Sequence, residues 1–482
     1  MSNPTHTPDE PVSSSRPSTH NKTLEINLNS AHYGTFAEIG GGQEVARWFF
    51  HVGGAAGTVA ETVSAYDMTV SDLRYGHADR YVSRDRLHSM LDFEYRRLVE
   101  ELDAKRGAKT AFFVFANTVA TRSFSHRENG HGWMGVRFQT QPRSEPSEII
   151  IHVHLLDVEY DREQEALGVL GVNLIYGAFY CHHDPRMLIE SLVDNLARQR
   201  IELDMVKFSG PAFAGVDNRL MSLQLVEKEL TSAAMFMGTG EVLQPSEALY
   251  KKPILIERGS FRPITHLTLD MLERAQEQFL QEPQVHGEPP VVLMEMTLRN
   301  LSAGGAIDHE DFLARVDLLS VLGKTVLVSN FGPYFHLTEY LTRHTQKMIG
   351  IVVGIPSLQE FWNEKYYTDL RGGTVESVGR LFKNLVKVYV YPARDPTTEK
   401  VITAETVPVN GPMAHLYAFL LEDHRVEPIR QYNEAFLSLM TKDVLSRIQK
   451  GDASWETMVP PAIVETIKKH KLFSSPTTLP TA

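Results

Sequence analysis

Short apolar runs alternate with stretches of helical periodicity in the second half of the chain. The runs contain few polar residues, as expected of strands covered on both faces. The predicted strands are Met205 to Phe208, Ile254 to Glu257, Val291 to Met296, Thr325 to Ser329, Met348 to Val353 and Val386 to Tyr391, with Val169 to Tyr180 as a further candidate. The predicted helices are Asn218 to Thr231, Leu267 to Leu280, His309 to Leu322, Phe335 to His344 and Leu358 to Tyr367. This alternation is typical of repeated βα units on a mostly parallel sheet, arranged as a βα barrel or a doubly wound sheet.

The first part of the chain mixes the two periodicities. Leu24, Ile26 and Leu28 alternate with polar residues, which favours a half-buried strand. An apolar stripe from Ser83 to Leu102 predicts a helix that Ser83 caps. Further predicted elements are a helix over Gln43 to Phe50 and strands over Ala111 to Ala116, Met134 to Phe138 and Ile149 to Leu156.

Composition shifts divide the chain into five regions. We predict disordered tails over 1–21 and 474–482, an α+β domain with glycine-rich loops over 22–160, a βα-repeat domain over 161–395 and a helical region over 396–473. The Pro-containing stretch from Gln139 to Ser147 is the strongest internal break. The fold class is therefore α/β, with an N-terminal α+β domain.

The net charge and the cysteine content limit the classes of function that the sequence allows. The 482 residues include 48 Lys and Arg against 60 Asp and Glu, a net charge of −12, which disfavours nucleic acid and anionic membranes as partners. Cys181 is the single cysteine, so the chain forms no internal disulfide, as in cytoplasmic proteins. The first 20 residues lack the apolar core of a secretory signal.

Cationic residues follow the predicted strands of the second half. Ligands of βα folds collect at the carboxyl ends of strands, where Lys207, Arg258, Arg262, Arg299 and Asn330 are expected. Several cations at such positions in an acidic protein indicate a small anionic ligand, phosphorylated or carboxylated. The alternative is that these loops carry polar residues because the chain turns there.

Two residues are candidates for catalysis. Lys207 ends a predicted strand, in a setting that resembles that of the Schiff-base lysine of class I aldolases. Glu295 lies inside a predicted buried strand, where burial shifts a carboxyl pKa towards general acid–base chemistry. The structural alternatives are an ion-paired surface Lys207 and a Glu295 that is neutralised by a neighbouring cation.

Two glycine clusters precede predicted helices. Gly40 to Gly42 stand before the first helix, and Gly53, Gly54, Gly57 and Thr58 form a Gly-Gly-x-x-Gly-Thr loop. Such a loop can cradle a phosphate at a helix N-terminus, which makes nucleotide binding a candidate function. It matches neither the P-loop nor the dinucleotide fingerprint, and tight packing or a turn is the alternative.

The sequence does not identify a metal site or a cofactor. His152 and His154 have the HxH spacing that places both rings on one face of a strand. Twenty histidines make chance pairs common, so no residue is named as a metal ligand and the cofactor stays unknown.

Three segments carry a family resemblance, namely LEINLNSAHYGTFAEIGGGQEVARWFFHVGGAAGTVAETVSAYD at 24–67, KFSGPAFAGVDNRL at 207–220 and SWETMVPP at 454–461. Together they resemble a family of uncharacterised bacterial proteins of about this length. Its members carry two conflicting names, nicotinate-nucleotide adenylyltransferase and TonB-dependent receptor. The sequence lacks both the HxGH-like motif of the first and the signal peptide of the second. The resemblance implies a bacterial origin and one co-inherited architecture.

Two functions remain open at this point. The first is a cytoplasmic enzyme that acts on a small anionic substrate at the carboxyl ends of the strands. The alternative is a homo-oligomeric structural or regulatory protein without catalysis, with aromatic residues packed between subunits.

Overall fold

A computed structural model describes residues 16–122, 130–302, 305–409 and 411–474. The chain divides into two compact units. Unit 1 comprises Met1–Glu202 and Phe208–Val216, and unit 2 comprises Leu203–Lys207 and Asp217–Ala482. The helix Tyr160–Tyr176, which starts at the predicted boundary, belongs to unit 1.

Unit 1 contains a mixed sheet, with both parallel and antiparallel strand pairs. The helices are α1 Thr19–Leu28, α2 Glu44–His51, α3 Met68–Tyr75, α4 Arg84–Leu102, α5 Tyr160–Tyr176 and α6 Pro185–Ser191. The strands of this sheet are β1 His32–Ile39, β2 Val59–Val63, β3 Ala111–Ala120, β4 His131–Phe138, β5 Ser147–Leu155 and β6 Ile201–Ser209, of which residues 203–207 are assigned to unit 2. The strand order is β2-β1-β3-β4-β5-β6. Strands β2, β1 and β3 are parallel, whereas β4 is antiparallel to both of its neighbours.

Helices α2 and α4 cover opposite faces of this sheet. The ring of Phe49 on α2 packs 4.7 Å from the ring of Phe36 on β1. The next residue, Ala37, points to the other face, and so does Gly135, which lies in the same row across β3. A side chain at Gly135 would meet leucines of α4. The connection that leaves β1 and the connection that enters β3 therefore run over different faces.

Two segments that the sequence predicts as strands are helices instead. Leu24 to Leu28 belongs to α1, which Ser18 caps by accepting a hydrogen bond from the N–H of Asn21. The buried face of α1 is mostly polar, so its helical period is invisible to an apolar pattern; it consists of Thr19, Lys22, Thr23, Ile26 and Asn27. The run from Val169 to Tyr180 lies in α5 and the helical turn that follows, because α5 is buried on nearly all sides.

Unit 2 is built on an eight-stranded sheet. Its helices are α7 Asn218–Glu227, α8 Pro245–Ala248, α9 His266–Phe279, α10 Leu298–Ser302, α11 His309–Val321, α12 Tyr334–Leu341, α13 Ile355–Glu360, α14 Gly373–Leu381, α15 Met413–Glu422, α16 Thr441–Lys450 and α17 Pro461–His470. Its strands are β7 Ala233–Met237, β8 Val242–Leu243, β9 Ile254–Arg258, β10 Val291–Thr297, β11 Thr325–Ser329, β12 Ile349–Gly354, β13 Val386–Tyr391, β14 Ala393–Arg394, β15 Val401–Ile402 and β16 Val426–Pro428.

The sheet of unit 2 is mostly parallel, as the sequence predicts. Its order is β16-β13-β12-β9-β10-β11-β7-β8, and only the pairs that involve β7 are antiparallel. The predicted strands Thr325 to Ser329 and Val386 to Tyr391 coincide with β11 and β13. Apolar side chains fill both faces, which explains why these strands have continuous apolar sequences.

Three features of unit 2 differ from the sequence-based expectations. The helix predicted over Leu358 to Tyr367 is shorter and earlier, at Ile355–Glu360, because Pro356 starts it. The helical region after residue 395 also contributes β16 to the sheet. The short strands β7 and β8 were not predicted.

Among the described residues, no helix combines the length and apolar character needed to cross a bilayer.

Candidate functional site

A cavity of about 830 Å³ opens in unit 1 where β1 and β3 end. We call it the β1–β3 crevice. Ile39 and Gly40 line it from the end of β1, and Thr118 to Arg122 line it from the end of β3. The remaining lining residues are Tyr66, Tyr81, Val82, Val158 and Tyr160.

Apolar and aromatic groups dominate the lining of the crevice. Of the described residues that form it, Arg122 is the single charged one. The Thr118 hydroxyl donates to the carbonyl of Tyr81 over 2.6 Å, and the Tyr81 hydroxyl donates to Asp72 over 2.9 Å. The backbone N–H of Arg122 donates to Glu163 over 2.9 Å, which fixes the start of the loop after β3.

The first glycine loop leads from β1 into α2, beside the crevice. Gly40 has a φ of +92°, a backbone conformation that side-chain-bearing residues rarely adopt. The carboxylate of Glu38 accepts hydrogen bonds from the N–H groups of Val45 and Ala46 and from the Asn117 amide, at 2.9 to 3.3 Å. Burial raises the pKa of Glu38 to about 7. The N-terminus of α2 is thus satisfied by the protein's own carboxyl group.

The second glycine loop packs against α1. The Asn27 amide donates to the carbonyl of Gly53 over 2.7 Å, and a side chain at Gly54 would press on Asn27. Thr58 is fully buried, with its hydroxyl directed at the carbonyl of Ile26 over 3.4 Å. Gly57 also lies next to Asn27. These contacts give the loop a packing role, and phosphate binding there remains a prediction.

In unit 2, Arg258 and Glu295 form a buried ion pair at the carboxyl ends of β9 and β10. The Arg258 guanidinium donates to both Glu295 oxygens, at 2.8 and 3.0 Å, and it stacks over the ring of Tyr334. Ser329 of β11 donates to Glu295 over 2.6 Å. The strand ends do bring these residues together, but each charge is taken up by its partner.

The other predicted site residues of unit 2 make their described contacts with different partners. Arg262 forms an ion pair with Asp311 at 2.5 Å. Arg299 is exposed and stacks on Tyr366, 5.4 Å from the ring centre. Asn330 is exposed beyond the end of β11. Lys207 is half-buried on β6. Their roles in ligand binding and catalysis remain predictions.

Three histidines cluster on β4 and β5. The Nδ1 of His131 lies 3.2 Å from the Nε2 of His152. The ring of His154 has its centre 4.9 Å from that of His152 and 6.2 Å from that of His131. The HxH pair is visible in the sequence. The position of His131 beside that pair is not, because the contact depends on the pairing of two strands.

The sequence pattern ends β3 too early, so it gives no sign of the crevice. The predicted strand stopped at Ala116, where the apolar run gives way to Asn117 and Thr118. The actual strand continues to Ala120, which places Arg122 at its carboxyl end. Both polar residues are buried and hydrogen-bonded, so they continue the strand.

Comparisons with known proteins give weak and partial neighbours. No family model and no curated protein matches this chain. The competence/damage inducible protein CihA from Agrobacterium tumefaciens is 14% identical, with 33% of this chain and 93% of that chain covered, at a TM-score of 0.25. The CinA superfamily protein from Enterobacter cloacae is 11% identical, with 37% and 98% covered, at the same score. A competence or damage-inducible protein from Enterobacter asburiae is 11% identical, with 34% and 99% covered, also at 0.25. These neighbours assign no function to the chain.

Proposed function

We propose that the protein is an enzyme that acts on a small anionic substrate, phosphorylated or carboxylated, held in the β1–β3 crevice. The observation that carries this proposal is the cavity of about 830 Å³ at the carboxyl ends of two parallel strands. Sites for small molecules occupy about 300–1,000 Å³ and are mostly apolar with a few polar groups.

The path of the chain supports this location. The helix that follows β1 lies on one face of the sheet and the helix that precedes β3 lies on the other. Ligands of α/β sheets bind outside the carboxyl ends of the strands. The crevice is in that position because β1 and β3 are neighbours and run parallel.

The lining favours an anion that carries a flat ring. Arg122 offers a guanidinium, which suits carboxylate and phosphate groups. The rings of Tyr66, Tyr81 and Tyr160 offer surfaces for stacking. In a chain of net charge −12, a cavity whose described lining contains a cation and no carboxylate is selective for negative charge.

Two of the cations predicted in unit 2 are engaged by carboxylates. Arg258 is neutralised by Glu295 and Arg262 by Asp311, so an anion would have to displace a carboxylate at either position. Catalysis by Lys207 and Glu295 remains a separate prediction.

Binding of defined probes tests the proposal. We would titrate the full chain with benzoate, adenosine monophosphate and inorganic phosphate, and follow binding by ligand-detected NMR. We expect a ring-bearing anion to bind more tightly than phosphate, and Arg122→Ala to weaken its binding at least about tenfold. Arg96→Ala, which removes an exposed arginine of α4, is the matched control.

Two outcomes would contradict the proposal. The first is that none of the ring-bearing anions binds. The second is that Arg122→Ala and Arg96→Ala bind the probe equally well. Conversion of a bound probe over time, followed in the same spectra, would identify the reaction.

A further inference from the structure

The pairing of β4 with β5 brings three imidazoles to one face of the sheet. His131 lies directly opposite His154, and Trp133 lies directly opposite His152. Residues opposite each other in an antiparallel pair share a face, and so do residues two apart on one strand. His131, His152 and His154 therefore point to the same side, as the short distances between their rings show.

The spacing of the rings matches that of ligands on one metal ion. Two nitrogens bound to the same tetrahedral zinc ion, each about 2.05 Å from it, lie about 3.3 Å apart. The observed distance between His131 Nδ1 and His152 Nε2 is 3.2 Å. The same geometry separates ring centres by about 5 Å. The separations from His152 to His154 and to His131, 4.9 and 5.4 Å, are close to this value, whereas the ring centres of His131 and His154 are 6.2 Å apart.

We propose that His131, His152 and His154 form a binding site for one divalent transition metal ion. Imidazole nitrogens favour zinc and similar ions over magnesium and calcium, which prefer oxygen ligands.

The surroundings of the site are those of a built metal centre. His152 is buried and packs edge-on against Trp133, which fixes the orientation of its ring. His131 and His154 are half-buried, so an ion can reach them. His131 also pairs across the sheet with Ala120, which lines the β1–β3 crevice. The metal would thus lie beside the crevice, although its binding does not depend on the proposed substrate.

A hydrogen bond between two neutral imidazoles is the competing explanation of the 3.2 Å contact. That explanation involves only His131 and His152. The two explanations therefore differ in what loss of His154 does to metal affinity.

Metal titration of the full chain, without an added histidine tag, decides between them. After chelator treatment and dialysis, the protein would be titrated with Co²⁺ by visible absorption and with Zn²⁺ by calorimetry. We expect one ion per chain, strong visible bands of a four-coordinate cobalt ion and no binding of Mg²⁺. His131→Asn and His154→Asn should each weaken binding by more than about tenfold. His51→Asn, on the exposed side of α2, is the matched control and should bind normally.

Absence of Zn²⁺ binding, or binding that His154→Asn leaves unchanged, would overturn the proposal. If either variant fails to fold, proton NMR of the cobalt-loaded natural chain replaces it, and shifted resonances from three imidazoles are expected; signals from fewer than three would contradict the site. Arg122→Ala should bind metal normally. Failure of the crevice proposal and failure of the metal proposal are therefore distinguishable.

Discussion

The ammonium group of Lys22 lies 2.7 Å from a carboxylate oxygen of Asp194, and both side chains are almost completely buried in unit 1. Lys22 also donates to the side-chain oxygen of Asn173 over 2.9 Å. The Asn173 amide in turn donates to the backbone carbonyl of Asp194 over 2.7 Å. Arg16 binds the second carboxylate oxygen of Asp194. This network holds α1 against the unit through charge rather than apolar contact.

Loss of Lys22 should strongly destabilise unit 1. Lys22→Met leaves Asp194 buried with only the exposed Arg16 as a charged partner, and breaking a buried ion pair costs about 3–5 kcal/mol. Chemical denaturation followed by circular dichroism would measure the change in the free energy of unfolding.

The control is Lys109→Met, which changes an exposed lysine of the same unit and should cost little. A Lys22→Met/Asp194→Asn double variant should be less destabilised than the sum of the two single variants. Equal costs for Lys22→Met and Lys109→Met would show that the pair does not hold α1.

Stability of unit 2 should fall as pH rises from about 4.5 to about 8. Glu257 is buried at the end of β9, one of its oxygens accepts no hydrogen bond among the described residues, and burial raises its pKa from 4.5 to about 8. The folded chain therefore keeps a proton in this range that the unfolded chain has lost. Stability is full below pH 4.5 and decreases until pH passes 8, by on the order of 5 kcal/mol.

Glu257→Gln should remove this pH dependence. The variant should be more stable than the natural chain at pH 9 and close to it at pH 5, as measured by urea denaturation at both values. Glu273→Gln, at an exposed position of α9, should leave the dependence unchanged. An identical pH profile for Glu257→Gln and the natural chain would refute the buried, protonated carboxyl group.

A methyl group on Gly40 should disturb the crevice. Gly40 has a φ of +92°, and an added Cβ would lie 1.8 Å from the carbonyl oxygen of Val119. Gly53 has a similar φ of +82°, but its Cβ would meet nothing within 4 Å. Both Gly→Ala substitutions incur about 1–2 kcal/mol of backbone strain, and only Gly40→Ala adds a clash. Thermal denaturation should therefore show a clearly lower Tm for Gly40→Ala, and the reverse order would contradict the loop geometry.

Glu295 should be needed for the stability of unit 2. Its carboxylate holds the buried guanidinium of Arg258, so Glu295→Gln should cost about 3 kcal/mol or more. An Arg258→Met/Glu295→Leu double variant, which leaves no unpaired charge, should recover much of that loss. Denaturation curves of the three variants test this. Glu295→Gln without any effect on stability would instead favour the predicted catalytic role.

Much of unit 2 was predictable from the sequence. Its parallel strands are covered on both faces, so their sequences are continuous apolar runs such as Thr325 to Ser329. Helix capping was also predictable from the sequence. As predicted, the Ser83 side chain caps α4, where it accepts a hydrogen bond from the backbone N–H of Arg86. Such features depend on neighbouring residues only.

The contacts that define the sites were decided by tertiary structure. The polar buried face of α1 depends on Asp194, far along the chain, so its helical pattern had no apolar signal. The sequence placed Arg258 at a strand end and Glu295 inside a buried strand, but only the pairing of β9 with β10 made them partners.

The sequence by itself determined the α/β class and most parallel strands, because periodicity and burial are local properties of a strand or helix. Only the folded chain decided that β1 and β3 are neighbours with a crevice at their ends. It also brought His131 to His152 and His154, because register and strand order arise from long-range packing.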